Sequence, residues 1–225
     1  EVAVLEREAA KWGVPLFGAE SVSLQRTTVF VDGVLAPVVG DITGVHDGRC
    51  LVDVRFVRPR ASHRLALSLR LAILQHEYPE VDWTGVLITR SGSGFGGATA
   101  TCLRVAGTGD ERIQYAKEFI KVAAGLFAWM QFDAVPLFER ASEKLAVDDL
   151  TPTQLGIAET ALDSDLDDEA MSLVWGELPF DELLAVAPLP ADPPAVRPGV
   201  DSPGGAAPAS RAVATAQWVW GAYAD

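Results

Sequence analysis

The sequence has little cysteine and no long apolar run. Cys50 and Cys102 are the two cysteines among 225 residues. That number excludes a disulfide framework, a zinc site of four cysteines and a four-cysteine iron–sulfur cluster. The apolar runs fall far short of the ~20 residues that a membrane span requires. We therefore expect a protein of a reducing compartment, with a cytoplasmic location and no membrane partner.

Basic residues are scarce in the last third of the chain. Residues 148–225 contain 2 Lys or Arg and 14 Asp or Glu, together with 9 of the 14 prolines, whereas residues 1–147 contain 16 basic and 17 acidic side chains. We therefore predict a domain over residues 1–147 and an acidic, Pro/Ala-rich extension over residues 148–225, with a solvated linker at 187–210. Large apolar side chains among the acids, such as Trp175 and Phe180, predict short helices that dock on a protein partner or on the arginine-rich surface of the chain's own domain. The alternative is a solvated spacer.

Hydrophobic periodicity predicts an α/β fold for the first part of the chain. Helical spacing indicates three helices, over residues 2–12, 63–76 and 111–131. We expect Ser62 to cap the second helix. Apolar alternation and Asp-Gly turns predict a meander of three strands, over residues 21–31, 35–45 and 50–57. A strand over residues 83–90 follows the second helix, so it should pair in parallel with the third strand. A glycine-rich loop at 91–97 then leads to a last strand at 98–106.

Two aspartates lie on strands that this meander makes neighbours. Asp41 closes one strand, and Asp53 lies on the next, with Arg55 two residues later and therefore on the same face. Carboxylates on adjacent strands can hold a hard divalent cation such as Mg²⁺, which polarises a phosphodiester and activates water. The alternative interpretation is a pair of surface acids beside hairpin turns.

This region resembles a nuclease family. The segments GDIT at 40–43, DG at 47–48 and LVDVR at 51–55 precede a leucine-rich helix and the strand GVLITR. In that order they resemble the RecB-like branch of the PD-(D/E)XK nucleases. The resemblance covers residues 1–145 and implies a restriction-endonuclease-like mixed central sheet flanked by helices. It also implies Mg²⁺ or Mn²⁺ as cofactor, with these residues at the active site: Asp41, Asp53 and the Val54 carbonyl as metal ligands, Arg55 at the catalytic-lysine position, and Glu8 as a further acid.

The signature positions of that family differ in part from this sequence. Arg55 stands where the family has its catalytic lysine, and a guanidinium does not give up its proton. Arg64 and Ser68 stand where the family has Gln and Tyr. The resemblance therefore implies a divergent, metal-dependent DNA nuclease of recombination, repair or phage-related DNA processing, with catalysis retained or lost. The alternative is a non-catalytic subunit that keeps the nuclease fold and binds DNA or a protein.

Arginines are concentrated between Arg49 and Arg70, where six of them accompany a single acid. The family resemblance places the loop after the third strand near the nucleic acid. We therefore predict that Arg58, Arg60 and Arg64 bind DNA phosphates. The alternative is a solvated face whose arginines pair with acids elsewhere.

Overall fold

The computed structural model describes residues 2–14, 18–24, 28–31, 34–91, 97–130, 135–147, 150–176, 178–187 and 210–220. The chain divides into two compact units, residues 1–124 (unit 1) and residues 125–225 (unit 2). The domain boundary predicted at residue 147 follows charge rather than contacts, and it stays a prediction. None of the described helices has the length and apolarity that crossing a membrane requires.

Unit 1 combines helices and strands as an α/β fold does. Its elements are, in chain order, α1 (Val2–Lys11), β1 (Glu20–Leu24), β2 (Thr28–Val31), β3 (Val34–Pro37), β4 (Gly40–His46), β5 (Cys50–Arg55), α2 (Ala61–Glu77), β6 (Thr84–Arg90), β7 (Ala98–Leu103) and α3 (Gly109–Trp129), which ends in unit 2. The predicted α/β class and the three predicted helices are confirmed. The predicted turn at residues 32–33 and most of the glycine-rich loop, residues 92–96, lie outside the described residues.

Five strands form one mixed sheet in the order β1-β4-β5-β6-β7. Strands β5 and β6 are parallel, with Asp53 paired to Leu87, and the other neighbouring pairs in this sheet are antiparallel. A parallel pair needs a crossover, and α2 supplies it. The crossover and the mixed sheet predicted from the sequence are therefore confirmed.

Helices cover both faces of this sheet. On one face, strand residues pack with α1 in a buried cluster that includes Leu5, Ala9, Val52, Val86 and Ile88. On the other face α2 packs against β6, and the side chains of Leu67 and Leu71 lie 3.4 Å from where a Cβ atom would stand at Gly85. Because successive strand residues face opposite ways, Asp53 and Arg55 point toward α2.

The prediction of a simple three-stranded meander is wrong. β2 and β3 form a separate two-stranded sheet, so the first two predicted strands are each divided between two sheets. β3 ends at Pro37, which cannot donate a ladder hydrogen bond, and β4 begins at Gly40, whose φ of +138° favours glycine. The predicted cap is wrong as well. Arg60 is extended and precedes a helix that begins at Ala61, so Ser62 lies inside the first turn.

Unit 2 is helical in its described parts. Its helices are α4 (Ala141–Leu145), α5 (Pro152–Asp165), α6 (Glu169–Trp175), α7 (Phe180–Ala185) and α8 (Arg211–Trp220). α4 packs against α5 and α8, and its Ala141 and Leu145 are fully buried. α5 begins with a capping box in which the Thr151 hydroxyl and the Gln154 side chain accept each other's backbone N–H. The docking role of the extension stays a prediction, and residues 188–209 of its predicted linker lie outside the described residues.

Candidate nucleic-acid interface

Strands β5 and β6 end at the same edge of the sheet because they are parallel. Arg55 ends β5 and Arg90 ends β6, and the Arg90 N–H donates to the Val57 carbonyl at 3.0 Å. α2 begins at this edge too, directly after the loop that carries Arg58 and Arg60. The strand ends, the loop and the first turn of α2 thus form a basic edge, made of Arg55, Arg58, Arg60, Arg64 and Arg90. In open α/β sheets, the carboxyl ends of parallel strands are where ligands commonly bind.

Asp53 lies just inside the basic edge and is buried. Arg55 holds it in a fork, with Nε 2.9 Å from Oδ1 and an Nη nitrogen 3.1 Å from Oδ2. Arg70, from the third turn of α2, donates a further hydrogen bond to Oδ2. Two guanidinium groups therefore surround one carboxylate, so the Asp53 cluster (Asp53, Arg55 and Arg70) carries a net charge of +1.

Asp41 has different neighbours from Asp53. It is exposed near the start of β4, where it is paired with Ser23 of β1, and the Ser23 hydroxyl donates to its Oδ1 at 2.5 Å. β4 pairs with β5 further along the strand, at Val45 and His46. The two aspartates that the sequence groups into one metal site are thus held by different elements.

Glu8 and the Val54 side chain belong to the opposite layer of unit 1. Glu8 lies on α1, where the Lys11 ammonium donates to its carboxylate at 2.6 Å. The Val54 side chain packs against the cluster beneath α1, so it faces away from Asp53. The structure therefore does not place Glu8 on the face of the sheet that carries the Asp53 side chain. The catalytic role of Glu8 and the ligand role of the Val54 carbonyl stay predictions.

A divalent cation does not fit the Asp53 cluster as it is arranged. Mg²⁺ and Mn²⁺ bind carboxylate oxygens, whereas both Asp53 oxygens already accept hydrogen bonds from guanidinium groups. A cation would also approach a cluster whose net charge is +1. Within the described ranges, no group of three or more His, Cys, Asp or Glu side chains is arranged to hold a metal ion.

The three arginines predicted to bind DNA lie together at the basic edge. Arg58 and Arg60 are exposed, and among the described residues no ion pair is recorded for either. Arg64 is half-buried and interacts with another group. Arg55 and Arg70 pair with Asp53, the buried acid within the same stretch, whereas the alternative expected a solvated face with acid partners elsewhere in the chain. Phosphate binding by Arg58, Arg60 and Arg64 stays a prediction.

Sequence reasoning did not predict the contact of Arg70 with Asp53 or the place of Arg90 at the basic edge. Arg70 lies three residues after Leu67 and four before Leu74, both fully buried residues of α2. That helical spacing indicates a side chain near the sheet. The place of Arg90 beside Val57 depends on the register of the parallel β5–β6 pair, in which Arg55 is paired with Thr89, and the sequence does not give that register.

Cys50 lies on the α1 face of β5 and packs against the buried cluster there. Burial raises the pKa of its thiol, and the nearby Cys102 and Asp47 raise it further, while Arg49 acts in the opposite direction. A raised pKa keeps the thiol protonated at neutral pH, and a protonated thiol is a weak nucleophile. These contacts support a packing role for Cys50.

Comparisons with known proteins give no assignment for this site. No protein-family model, curated protein or solved structure matches the chain. No relative therefore assigns a role to Asp41, Asp53 or Arg55, and the resemblance to the nuclease family stays a prediction.

Proposed function

We propose that unit 1 is a divergent PD-(D/E)XK-type domain that has lost catalysis and binds DNA through its basic edge. Support comes from the mixed sheet, the α2 crossover between parallel strands, and helices on both faces. The restriction-endonuclease-like identity of the fold is part of this proposal. A fold does not imply its family's activity, so the function is inferred from the residues of the site.

The observation that carries the proposal is the pairing of Asp53 with two arginines. A nuclease of this type needs that carboxylate free for a metal ion, and a lysine beside it. Here the residue at the lysine position, Arg55, binds both oxygens of Asp53, and Arg70 from α2 binds one of them as well. An arginine is always charged and well suited to a two-point contact with a carboxylate, so both contacts persist at neutral pH.

DNA binding follows from the charge and position of the basic edge. Arg58 and Arg60 are exposed in a loop that leads directly into α2, and the first turn of α2 contains no acidic residue. The positive end of a helix and exposed guanidinium groups both attract phosphates. We expect contacts with phosphates, which carry no sequence information. Phe56 is the single Phe, Tyr or Trp within residues 49–70 of the sequence, so base stacking is not indicated there.

A matched pair of double variants tests DNA binding. Arg58→Ala/Arg60→Ala removes two charges from the basic edge. Arg49→Ala/Arg104→Ala removes two exposed charges from the opposite edge, where Arg49 precedes β5 and Arg104 follows β7. We expect the first variant to bind a labelled DNA duplex more weakly. The slope of the logarithm of the binding constant against the logarithm of the salt concentration should decrease in magnitude by about 1.8, which corresponds to two lost phosphate contacts. The second variant should bind like the wild type.

Two results would contradict this proposal. Equal losses in both variants would show that binding follows overall charge rather than the basic edge. Absence of DNA binding by the wild type at low salt would remove the DNA partner altogether. Anisotropy titrations at two salt concentrations, with a thermal melt of each variant, distinguish these results from unfolding.

The second candidate is a metal-dependent DNA nuclease that uses Asp41, Asp53 and the Val54 carbonyl with Mg²⁺ or Mn²⁺. The observation that favours it is the location of both aspartates on neighbouring strands, β4 and β5. It predicts cleavage of linear DNA in either metal, loss of cleavage in Asp53→Asn, and faster cleavage in Arg55→Lys. Absence of cleavage in the wild type and in Arg55→Lys would leave the non-catalytic proposal standing.

A further inference from the structure

A groove of about 810 Å³ opens in unit 2 around the short helix α6. Acidic and apolar side chains line it together, among them Asp167, Glu169, Leu173, Val174, Trp175 and Leu178. Leu173 is 87% exposed and Val174 is 55% exposed, so two adjacent large aliphatic side chains of one short helix lie in solvent at the groove. The groove therefore offers an apolar surface to a partner.

The helix that carries this surface is fixed at both of its ends. At its start, the Asp168 carboxylate accepts the Met171 N–H at 3.1 Å. At its end, the Trp175 ring packs edge-on against Phe138, with ring centres 6.0 Å apart. The Gly176 N–H continues the helical pattern by donating to the Ser172 carbonyl at 2.8 Å. Leu173 and Val174 are thus presented to solvent by an anchored helix.

The charged side chains beside the groove are acidic. Asp167, Asp168 and Glu169 are exposed beside the apolar side chains. No lysine, arginine or histidine occurs in the sequence between Lys144 and Arg197. Unit 2 as a whole contains 4 basic and 17 acidic residues, whereas unit 1 contains 14 of each. An occupant of this groove must therefore bring positive charge together with apolar side chains.

We propose that the groove binds a basic, amphipathic helical segment of a partner protein. Its apolar side chains would cover Leu173 and Val174, while its lysines or arginines would pair with Asp167 and Glu169. Two other candidate occupants lack the excess of positive charge that the groove requires. Residues 188–209 of this chain contain two acids and one arginine, and a second copy of unit 2 carries the same excess of acids. This inference is independent of DNA binding by unit 1.

The test uses the full chain and a fluorescein-labelled peptide of leucine and lysine at helical spacing, with a Lys-to-Glu version as the control peptide. We expect saturable binding of the lysine peptide and none of its control. Leu173→Ser/Val174→Ser should weaken binding about tenfold or more, because the central apolar contacts of an interface contribute most of its affinity. Ile157→Ser is the matched control, since Ile157 is 50% exposed on α5 and does not line the groove.

A second pair of variants tests the acids. Asp167→Asn/Glu169→Gln should weaken binding and reduce its salt dependence, whereas Glu159→Gln/Asp163→Asn, on the exposed surface of α5, should leave both unchanged. Equal effects in the two pairs would reduce the interaction to overall charge and overturn the proposal. Absence of binding, or displacement of the probe by a peptide of residues 188–209, would overturn it too. Melting curves that match the wild type show that each variant is folded.

Discussion

Asp53 in unit 1 and Asp165 in unit 2 are both buried carboxylates, but they are stabilised by different groups. Asp53 is bound by the guanidinium groups of Arg55 and Arg70. Asp165 accepts the backbone N–H groups of Arg140 and Ala141 at 2.8 and 2.9 Å, at the start of α4. The first carboxylate belongs to a cluster with excess positive charge, and the second anchors a helix end.

The comparison shows that the hydrogen-bond donors around a buried carboxylate determine its role. Burial raises the pKa of Asp165, and the two backbone N–H groups offset that rise only in part. Asp53 instead faces two full positive charges, one of which comes from a distant part of the sequence. A carboxylate in that environment holds a strand to a helix, and a metal ion would have to displace its partners.

The largest effect expected is from removing Arg70. Arg70→Ala should lower the free energy of unfolding by about 2 kcal/mol, because the buried Asp53 loses a charged hydrogen-bond donor. Arg112→Ala is the control, since its partner Asp82 is 62% exposed and water can solvate the freed carboxylate. That loss should stay within about 1 kcal/mol. Urea unfolding gives both free energies, provided that the dependence of the free energy on urea concentration has the same slope in each variant. Equal losses of stability in the two variants would contradict a special role for the Asp53 cluster.

The next effect is the loss of the cap at α4. Asp165→Ala leaves the N–H groups of Arg140 and Ala141 without their acceptor, so the free energy of unfolding should fall by about 1–2 kcal/mol. Asp165→Asn should lose less, because the amide oxygen still accepts hydrogen bonds. Asp163→Asn, on the exposed side of the same helix, should match the wild type. A loss in Asp165→Asn as large as in Asp165→Ala would show that the charge, and not the acceptor, matters.

The smallest effect is a dependence on pH. Because the folded-state pKa of Asp165 is raised above its ordinary value of 3.8, the protonated carboxyl is favoured in the folded chain. Its contribution to stability is therefore fully present below 3.8 and is lost as the pH rises through the raised pKa. The stability of the wild type relative to Asp165→Asn should fall as pH rises across that range. A constant difference, or one that grows with pH, would contradict the raised pKa.

Local sequence patterns predicted much of unit 1. Helical spacing predicted α2, and the crossover followed from the strand–helix–strand order. The face shared by Asp53 and Arg55 followed from the two-residue period of a strand. The division of the first strands between two sheets was not predicted, because the breaks at Pro37 and Gly40 lie inside one apolar stretch.

Sequence patterns predicted only those parts of the site that lie within a single strand or helix. Arg70 reaches Asp53 from 17 residues away, and Ser23 reaches Asp41 from 18 residues away. Both contacts depend on how α2 packs on the sheet and on which strand pairs with β4. A sequence pattern predicts which face of its strand or helix a residue occupies. The residue that it contacts on that face depends on tertiary packing.

The central claim is that Asp53 is a structural acid rather than a metal ligand, and the thermal stability of Asp53→Asn with and without excess Mg²⁺ tests it most directly. A structural acid gives a lower melting temperature in the variant, because Arg55 and Arg70 lose their charged acceptor. Mg²⁺ then leaves both proteins unchanged, because a ligand that does not bind cannot stabilise. A wild-type melting temperature that rises with Mg²⁺, together with a variant at least as stable as the wild type and insensitive to the metal, would contradict the claim.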